Sequence, residues 1–100
     1  MYKIYLDTSD RYKNIVKLLE GENVVGELSG DLDIVTSIAT LLKENKVELS
    51  QISEFNMNPG PGSFTGLRIG ASIVNALNYA LGLKKLGEEV RPKYEPSKFD

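Results

Sequence analysis

The amino-acid sequence predicts a single small lobe of the α/β class, and three observations point to it. Apolar runs separated by turn residues fill the first part of the chain, as in an antiparallel meander. A helical apolar pattern, a further strand and a second helical pattern follow in that order. With 100 residues, of which 41% are hydrophobic, the chain has enough apolar material for one core.

The meander is predicted as strands over Tyr2–Leu6, Asn14–Leu19 and Val24–Leu28, where apolar, aromatic and β-branched residues cluster. The four turn-forming residues Asp7–Asp10 are expected to end the first strand. Glu20–Asn23 is expected to form a hairpin turn between the second and third strands. Each of these strands should therefore pair with its neighbour in the sequence.

The first helix is predicted over about Leu32–Asn45, with N-cap chemistry supplied by Ser29–Asp31. Its apolar face, at helical spacing, consists of Ile34, Ile38, Leu41 and Leu42, with Val35 alongside. A short strand over Ile52–Met57 precedes a second helix at about Gly66–Leu81. The expected architecture is a three-stranded antiparallel meander plus a further strand, packed with two helices.

The second predicted helix is apolar around most of its circumference. Its polar side chains fall mainly on one line, formed by Arg68, Ser72, Asn75 and Tyr79. A helix that is apolar nearly all round is normally buried on more than one side, and a lobe of 100 residues is too small to cover both sides. Part of this helix is therefore expected to face another chain.

The composition excludes several classes of function. The sequence contains no cysteine and no histidine, which rules out a disulfide framework, thiolate metal sites and Ser-His-Asp or Cys-His catalysis. A net charge of −2 and a pI near 5.2 argue against a protein that binds nucleic acid unaided. We recognise no secretion signal and no membrane span, so we expect a cytoplasmic protein without membrane contact.

A glycine- and proline-rich run, Asn58–Gly70, leads into the second helix. Glycine allows close backbone approach and proline fixes φ, so the run predicts a stiff, preset loop. One hypothesis is a phosphate site at the helix N-terminus, assisted by Arg68. However, the Lys-Ser/Thr ending of a P-loop is missing, because Gly66 is followed by Leu67 and Arg68. We therefore favour a loop that fixes the angle between strand and helix or positions the helix for a partner.

This glycine run, together with Leu6-Asp7-Thr8-Ser9, resembles the N-terminal domain of the TsaB (YeaZ) family over about Tyr2–Leu86. The resemblance implies a ribonuclease-H-like lobe of the actin, sugar kinase and Hsp70 superfamily. It also implies a non-catalytic scaffold that docks on a TsaD-like catalytic subunit, which transfers threonylcarbamoyl to adenosine 37 of tRNA (t6A synthesis). A TsaE-like ATPase is a further implied partner, and tRNA contact is expected only indirectly.

In the resembled family, both helices pair with the partner as a four-helix bundle. The corresponding candidate interface residues here are Thr36, Thr40, Gly66, Leu67, Gly70, Ala71, Ile73, Val74 and Leu77. No cofactor or metal is expected, and ATP only in complex with partners. The residues 1–86 form the expected domain and 87–100 a charged, proline-containing irregular tail, with a short strand over Lys85–Val90 as an alternative. The second domain usual in the family is expected to be absent.

Two rival hypotheses stay open. In the ATPases of the superfamily, a hairpin like that of Asp7, Thr8 and Ser9 holds metal and phosphate, so a nucleotide-binding or phosphotransfer half-domain is one alternative. Asp and Ser in a turn, however, usually hydrogen-bond their own backbone. The other alternative is a self-associating module in which the apolar helix pairs with its own copy in a two-fold homodimer.

Overall fold

The computed structural model describes residues 1–10, 12–84 and 87–93. These residues form four strands, two α-helices and a single 3₁₀ turn at Leu49–Gln51. In chain order the elements are β1 (Tyr2–Asp10), β2 (Lys13–Glu20), β3 (Asn23–Gly30), α1 (Ile34–Glu44), β4 (Ile52–Met57) and α2 (Phe64–Ala80). The predicted α/β class, the meander and both helices are confirmed.

The four strands form one mixed sheet in the order β3-β2-β1-β4. β1 pairs antiparallel with β2, and β2 pairs antiparallel with β3, as expected for hairpin-connected strands. β4 returns to the other side of β1 and pairs with it in parallel, after the crossover that contains α1. The carboxyl ends of β1 and β4 therefore lie side by side at the same edge of the sheet.

One face of the sheet carries the core. Alternate residues of β1 and β2 point to this face, where Ile4, Leu6, Val16 and Leu18 are fully buried. α1 packs over β2 and β3, and α2 packs over β1 and β4. The other face bears Lys3, Tyr5, Lys17 and Leu19 among other residues, and these line an open cavity of about 430 Å³.

The first predicted strand boundary is wrong, because β1 continues to Asp10. Asp7 pairs with Ile15 and Asp10 with Lys13, and the register shifts between these two pairs, so β1 continues past Asp7 with an irregularity at Thr8 and Ser9. The Asp10 carboxylate accepts a hydrogen bond from the Tyr12 N–H at 2.8 Å, which is turn chemistry at the last residue of the predicted turn. Polar side chains are compatible with this strand end because β2 pairs with it at Asp7 and Asp10 and the Ser63 N–H satisfies the Ser9 carbonyl.

Both helices also begin at residues other than those predicted. The N-cap of α1 is Asp33, whose carboxylate accepts from Thr36 N–H at 3.3 Å; Ser29 and Gly30 belong instead to β3. The N-cap of α2 is Ser63, whose hydroxyl accepts from Gly66 N–H at 3.1 Å. In each helix a side-chain oxygen satisfies one of the first backbone donors, which fixes the start.

The strand alternative for Lys85–Val90 is wrong where the structure describes it, since residues 87–93 contain neither helix nor strand. Lys85, Leu86 and residues 94–100 lie outside the described residues.

The outer edge of β4 is covered by asparagine side chains. Phe55 N–H donates to Asn78 Oδ1 at 3.0 Å, and Asn78 Nδ2 donates to the Phe55 carbonyl at 2.8 Å. Two residues further along, Met57 N–H donates to Asn56 Oδ1 at 2.9 Å. Asn78 is 1% exposed, so its amide takes the place that a neighbouring strand would fill.

We expect Asn78→Leu to lower the free energy of unfolding by about 2–4 kcal/mol, because it leaves both backbone groups of Phe55 buried without a partner. Urea denaturation followed by circular dichroism measures the change. The matched control is Asn23→Leu at an exposed position of β3, with an expected effect within about 0.5 kcal/mol. Equal stability of the two variants would contradict the role of Asn78.

Candidate functional site

The glycine–proline loop and the first turns of α2 lie directly against the end of β1. The Thr8 hydroxyl donates to the Gly66 carbonyl at 2.6 Å, and Ser63 N–H donates to the Ser9 carbonyl at 2.7 Å. Thr8 is 1% exposed although its side chain is polar. These bonds join the start of α2 to the end of β1.

Three glycines make this close approach possible. A Cβ placed at Gly62 would lie 2.5 Å from Ser9 Cβ. A Cβ at Gly66 would collide with the Thr8 carbonyl oxygen, and one at Gly70 would collide with Thr8 Oγ1. The glycine spacing in the sequence is therefore explained by packing of one backbone against another.

A small polar cluster lies beside this contact, at the adjacent ends of β1 and β4. Asp7 Oδ1 accepts from the Ser9 hydroxyl at 2.5 Å and from Ser9 N–H at 3.0 Å. Asn58 Nδ2 donates to Asp7 Oδ2 at 3.3 Å, so both carboxylate oxygens have protein partners. Burial opposes ionisation of Asp7, but the hydrogen bonds from Ser9 and Asn58 and the charge of Lys17 outweigh it, and the pKa of Asp7 lies below its usual value.

The structure separates the residues predicted as weak nucleotide-site candidates. Asp7 and Ser9 bond each other, whereas Thr8 points to the opposite face of the sheet and bonds α2. Arg68 lies on the exposed side of α2, with its guanidinium 5.6 Å from the centre of the Phe64 ring. Within the described part of the chain, no group of three or more acidic, histidine or cysteine side chains could hold a metal ion. The arrangement favours the positioning role of the loop over a phosphate site.

Four of the nine predicted interface residues are buried within the lobe. Leu67, Gly70, Ala71 and Val74 are buried, and they face the chain's own sheet. Their spacing of three, one and three residues places them on one helix face, and Asn78 extends the same face by one turn. They pack within this lobe, and a contact with another chain through them stays a prediction.

The other five predicted residues differ in exposure. Thr36 is exposed, and Thr40 is half-buried and donates its hydroxyl to the Thr36 carbonyl at 2.9 Å. Gly66 is half-buried against β1, and Ile73 and Leu77 are half-buried at the margin of the core. These residues can contribute only the borders of a contact surface.

The solvent face of α2 carries apolar side chains that the sequence reading missed. Phe64 is 42% exposed and Ile69 is 49% exposed. With Thr65, Arg68, Ser72 and Ile73 they line an open cavity of about 370 Å³. The signal was present in the sequence, since Phe64 and Ile69 lie off the stripe of small and aliphatic residues that contacts the sheet.

On the helices that the structure describes, no segment is long and apolar enough to cross a membrane.

The sheet order, the parallel pairing of β1 with β4 and the two helices over one face define a ribonuclease-H-like α/β lobe. A protein-family model described as TsaD, tRNA N6-adenosine threonylcarbamoyltransferase, matches residues 32–87, more than half of the chain. The chain belongs to this family.

Individual relatives support the same assignment. An uncharacterized protein of Mycoplasma pneumoniae is 38% identical over 79 residues, which is 72% of this chain and 40% of that protein. The tRNA threonylcarbamoyladenosine biosynthesis protein TsaB of Haemophilus influenzae is 32% identical over 82 residues, 78% of this chain and 35% of that protein. The chain thus spans well under half the length of these curated relatives.

Solved structures support the same family assignment. YeaZ from Pseudomonas aeruginosa superposes with a TM-score of 0.71 at 30% identity, covering 82% of this chain and 42% of that one. A second structure is described as an uncharacterized protein with similarity to peptidase YeaZ from Pseudomonas aeruginosa. It gives a TM-score of 0.66 at 31% identity, covering 81% of this chain and 39% of that one. The resemblance to TsaB and YeaZ drawn from the glycine run is confirmed.

We expect Gly66→Ala to lower the free energy of unfolding by about 2 kcal/mol or more, because the new methyl group meets the Thr8 carbonyl. At an ordinary helix position the same change adds roughly 1 kcal/mol of stability, so a loss of stability here would indicate the close approach of Gly66 to β1. Chemical denaturation measures it, with Ser72→Ala on the exposed side of α2 as the control. A stabilised Gly66→Ala variant would contradict the close approach.

The lowered pKa of Asp7 predicts acid sensitivity. A carboxyl whose pKa is lower in the folded state contributes stability above its unfolded pKa, near 3.9, and loses it as pH falls through the folded value. The stability advantage of wild type over Asp7→Asn should therefore be largest near neutral pH and shrink below about pH 4. Urea titrations at a series of pH values test this, with the exposed Asp31→Asn as control. A difference that stays constant with pH would refute the prediction.

Proposed function

We propose that this chain takes part in the synthesis of threonylcarbamoyladenosine on tRNA, as a non-catalytic subunit that docks on a TsaD-like partner. Membership of the TsaD family and similarity to TsaB support the process. The chain spans only part of these relatives, so their role is not transferred to it directly. The support for docking comes instead from the surface of the chain itself. The cytoplasmic location and a TsaE-like ATPase as a further partner stay predictions.

The observation that carries the docking proposal is the exposed apolar face of α2. The opposite face of the helix is already buried in the lobe through Leu67 and Val74, so Phe64 and Ile69 do not serve the core. Ile69 and Phe64 flank Arg68, which gives the surface an aromatic, an aliphatic and a cationic group in close succession. Aromatic residues and arginine are the side chains enriched at protein–protein contacts.

α1 supplies a second exposed apolar group. Val35 is 61% exposed and Thr36 lies beside it, whereas Ile34 and Ile38 are buried. Because α1 and α2 cover the same face of the sheet, their outer sides point in the same general direction. A helical partner could therefore contact both, as in the bundle that the family resemblance implies.

The non-catalytic part of the proposal rests on the Asp7 cluster and the glycine loop. The two carboxylate oxygens of Asp7 accept hydrogen bonds from Ser9 and Asn58, and the loop glycines pack on β1. These groups have structural tasks within the lobe, which favours a positioning role over phosphotransfer. With a net charge of −2, the chain is expected to reach tRNA through its partner rather than directly.

The test is isothermal titration of this chain with the TsaD-like subunit from the same source. Ile69→Arg should weaken binding at least about tenfold, because it places a charge in an apolar contact. The matched control is Val24→Arg, since Val24 is 50% exposed on β3 and lines the cavity on the sheet face opposite the helices. Binding that survives Ile69→Arg and fails with Val24→Arg would place the contact elsewhere and sink the proposal.

The same variants distinguish the homodimer alternative from docking on the TsaD-like subunit. Size-exclusion chromatography of the chain alone shows whether it self-associates, and Ile69→Arg shows whether α2 is the contact. A homodimer that dissociates as the partner is added would mean that the two assemblies compete for one surface.

A further inference from the structure

Residues Gly87–Lys93, here called the strap, lie against α2 and the glycine–proline loop although they form no helix or strand. Hydrogen bonds hold the backbone of this segment at two residues, through a side-chain amide at Val90 and through a loop carbonyl at Lys93. This segment pairs with none of the four strands of the sheet. Its contacts are therefore a separate feature of the molecule.

The hydrogen bonds at Val90 join the strap to the middle of α2. Val90 N–H donates to Asn75 Oδ1 at 2.7 Å, and Asn75 Nδ2 donates to the Val90 carbonyl at 2.9 Å. One side-chain amide thus satisfies both backbone groups of a single residue, as a neighbouring strand would. The Val90 side chain is half-buried against the core, which adds an apolar contact to the pair.

The hydrogen bond at Lys93 joins the strap to the loop that precedes α2. Lys93 N–H donates to the Pro59 carbonyl at 2.6 Å. The Lys93 carbonyl oxygen lies 2.7 Å from the position that a Cβ would occupy at Gly60, whose φ is +112°. Any side chain at Gly60 would therefore push the strap away.

Two further contacts lie within the strap itself. Gly87 N–H donates to the Glu89 carboxylate at 3.0 Å, and Glu89 pairs with Arg91 at 3.8 Å. The two anchored residues, Val90 and Lys93, are three positions apart, so a short and locally braced segment spans from α2 to the loop. A segment fixed at both points restrains their relative movement.

We propose that the strap is a clamp that fixes the Pro59–Gly62 loop relative to α2, with Asn75 as the positioning residue. The proposal rests on the proposed function in one respect, since the clamp would hold the Phe64 and Ile69 surface ready for the partner. The loop leads directly into the Ser63 N-cap, so its position sets where the first turn of α2 begins. If the clamp is open for part of the time, the apparent affinity equals the affinity of the closed form multiplied by the fraction of molecules in which the clamp is closed.

The test uses Asn75→Asp in the full chain. An ionised carboxylate accepts from Val90 N–H but has no donor for the Val90 carbonyl and repels it. The neutral acid can offer Val90 one donor and one acceptor, as the amide of Asn75 does. The clamp should therefore open at neutral pH in this variant and close as pH falls toward about 4, where carboxyl groups protonate. Wild type should show no such reversal.

Hydrogen exchange of single amides, read by NMR and corrected for intrinsic rates, measures the clamp. At neutral pH, Asn75→Asp should speed exchange at Val90 and Lys93 about tenfold or more and also speed exchange at Gly60 and Ser63. Affinity for the TsaD-like subunit should fall about threefold or more and recover at the lower pH. The matched control, Asn23→Asp at an exposed position, should change neither quantity.

Two results overturn the clamp. One is fast exchange at Val90 and Lys93 in wild type. The other is an opened strap in Asn75→Asp with unchanged exchange at Gly60 and Ser63. If the loop loosens with the strap but affinity is unchanged, the link to docking is refuted and the proposed function stands. If wild type does not bind the TsaD-like subunit while the exchange results hold, the proposed function fails and the clamp stands.

Discussion

Backbone contact between the first turns of α2 and the last residues of β1 sets the geometry of the whole lobe. Gly66 and Gly70 let the helix approach so closely that Thr8 reaches the Gly66 carbonyl. That approach aligns the buried stripe of Leu67 and Val74 with the sheet and determines which side of α2 remains in solvent. The same contact therefore defines both the core and the surface proposed to bind a partner.

Side-chain amides satisfy backbone groups at several places where no neighbouring strand does so. Asn78 pairs with Phe55 on the outer edge of β4, Asn56 accepts from the Met57 N–H on the same edge, and Asn75 pairs with Val90 in the strap. An amide offers a donor and an acceptor at the spacing of a peptide group, so it can replace a neighbouring strand locally. It does so without offering a continuous ladder to which other chains could add. The edge of β4 is thus covered at Phe55 and Met57 by side chains of the lobe itself.

The role of the glycine–proline run combines these two features. The loop is fixed at its end by Ser63 N–H on Ser9, and near its start by the strap through Lys93 N–H on Pro59. Between these points Gly62 packs on Ser9 without room for a side chain. A loop held in this way suits the presentation of a helix at a defined angle. It has little freedom to close over a small ligand, which is consistent with docking as the proposed function.

The order of elements, the meander, the core residues of α1 and the family resemblance followed from the sequence, because apolar periodicity and glycine spacing are local properties. Ile34, Ile38, Leu41 and Leu42 are buried as predicted. The sequence could not assign the faces of α2, since a helix apolar nearly all round offers no contrast between core and contact surface. Only the tertiary structure decided that Leu67, Gly70, Ala71 and Val74 face the sheet and that Ile69 faces solvent. The physical reason is the close approach at Gly66 and Gly70, which fixes the rotation of α2 about its axis and depends on residues of β1 more than fifty positions earlier.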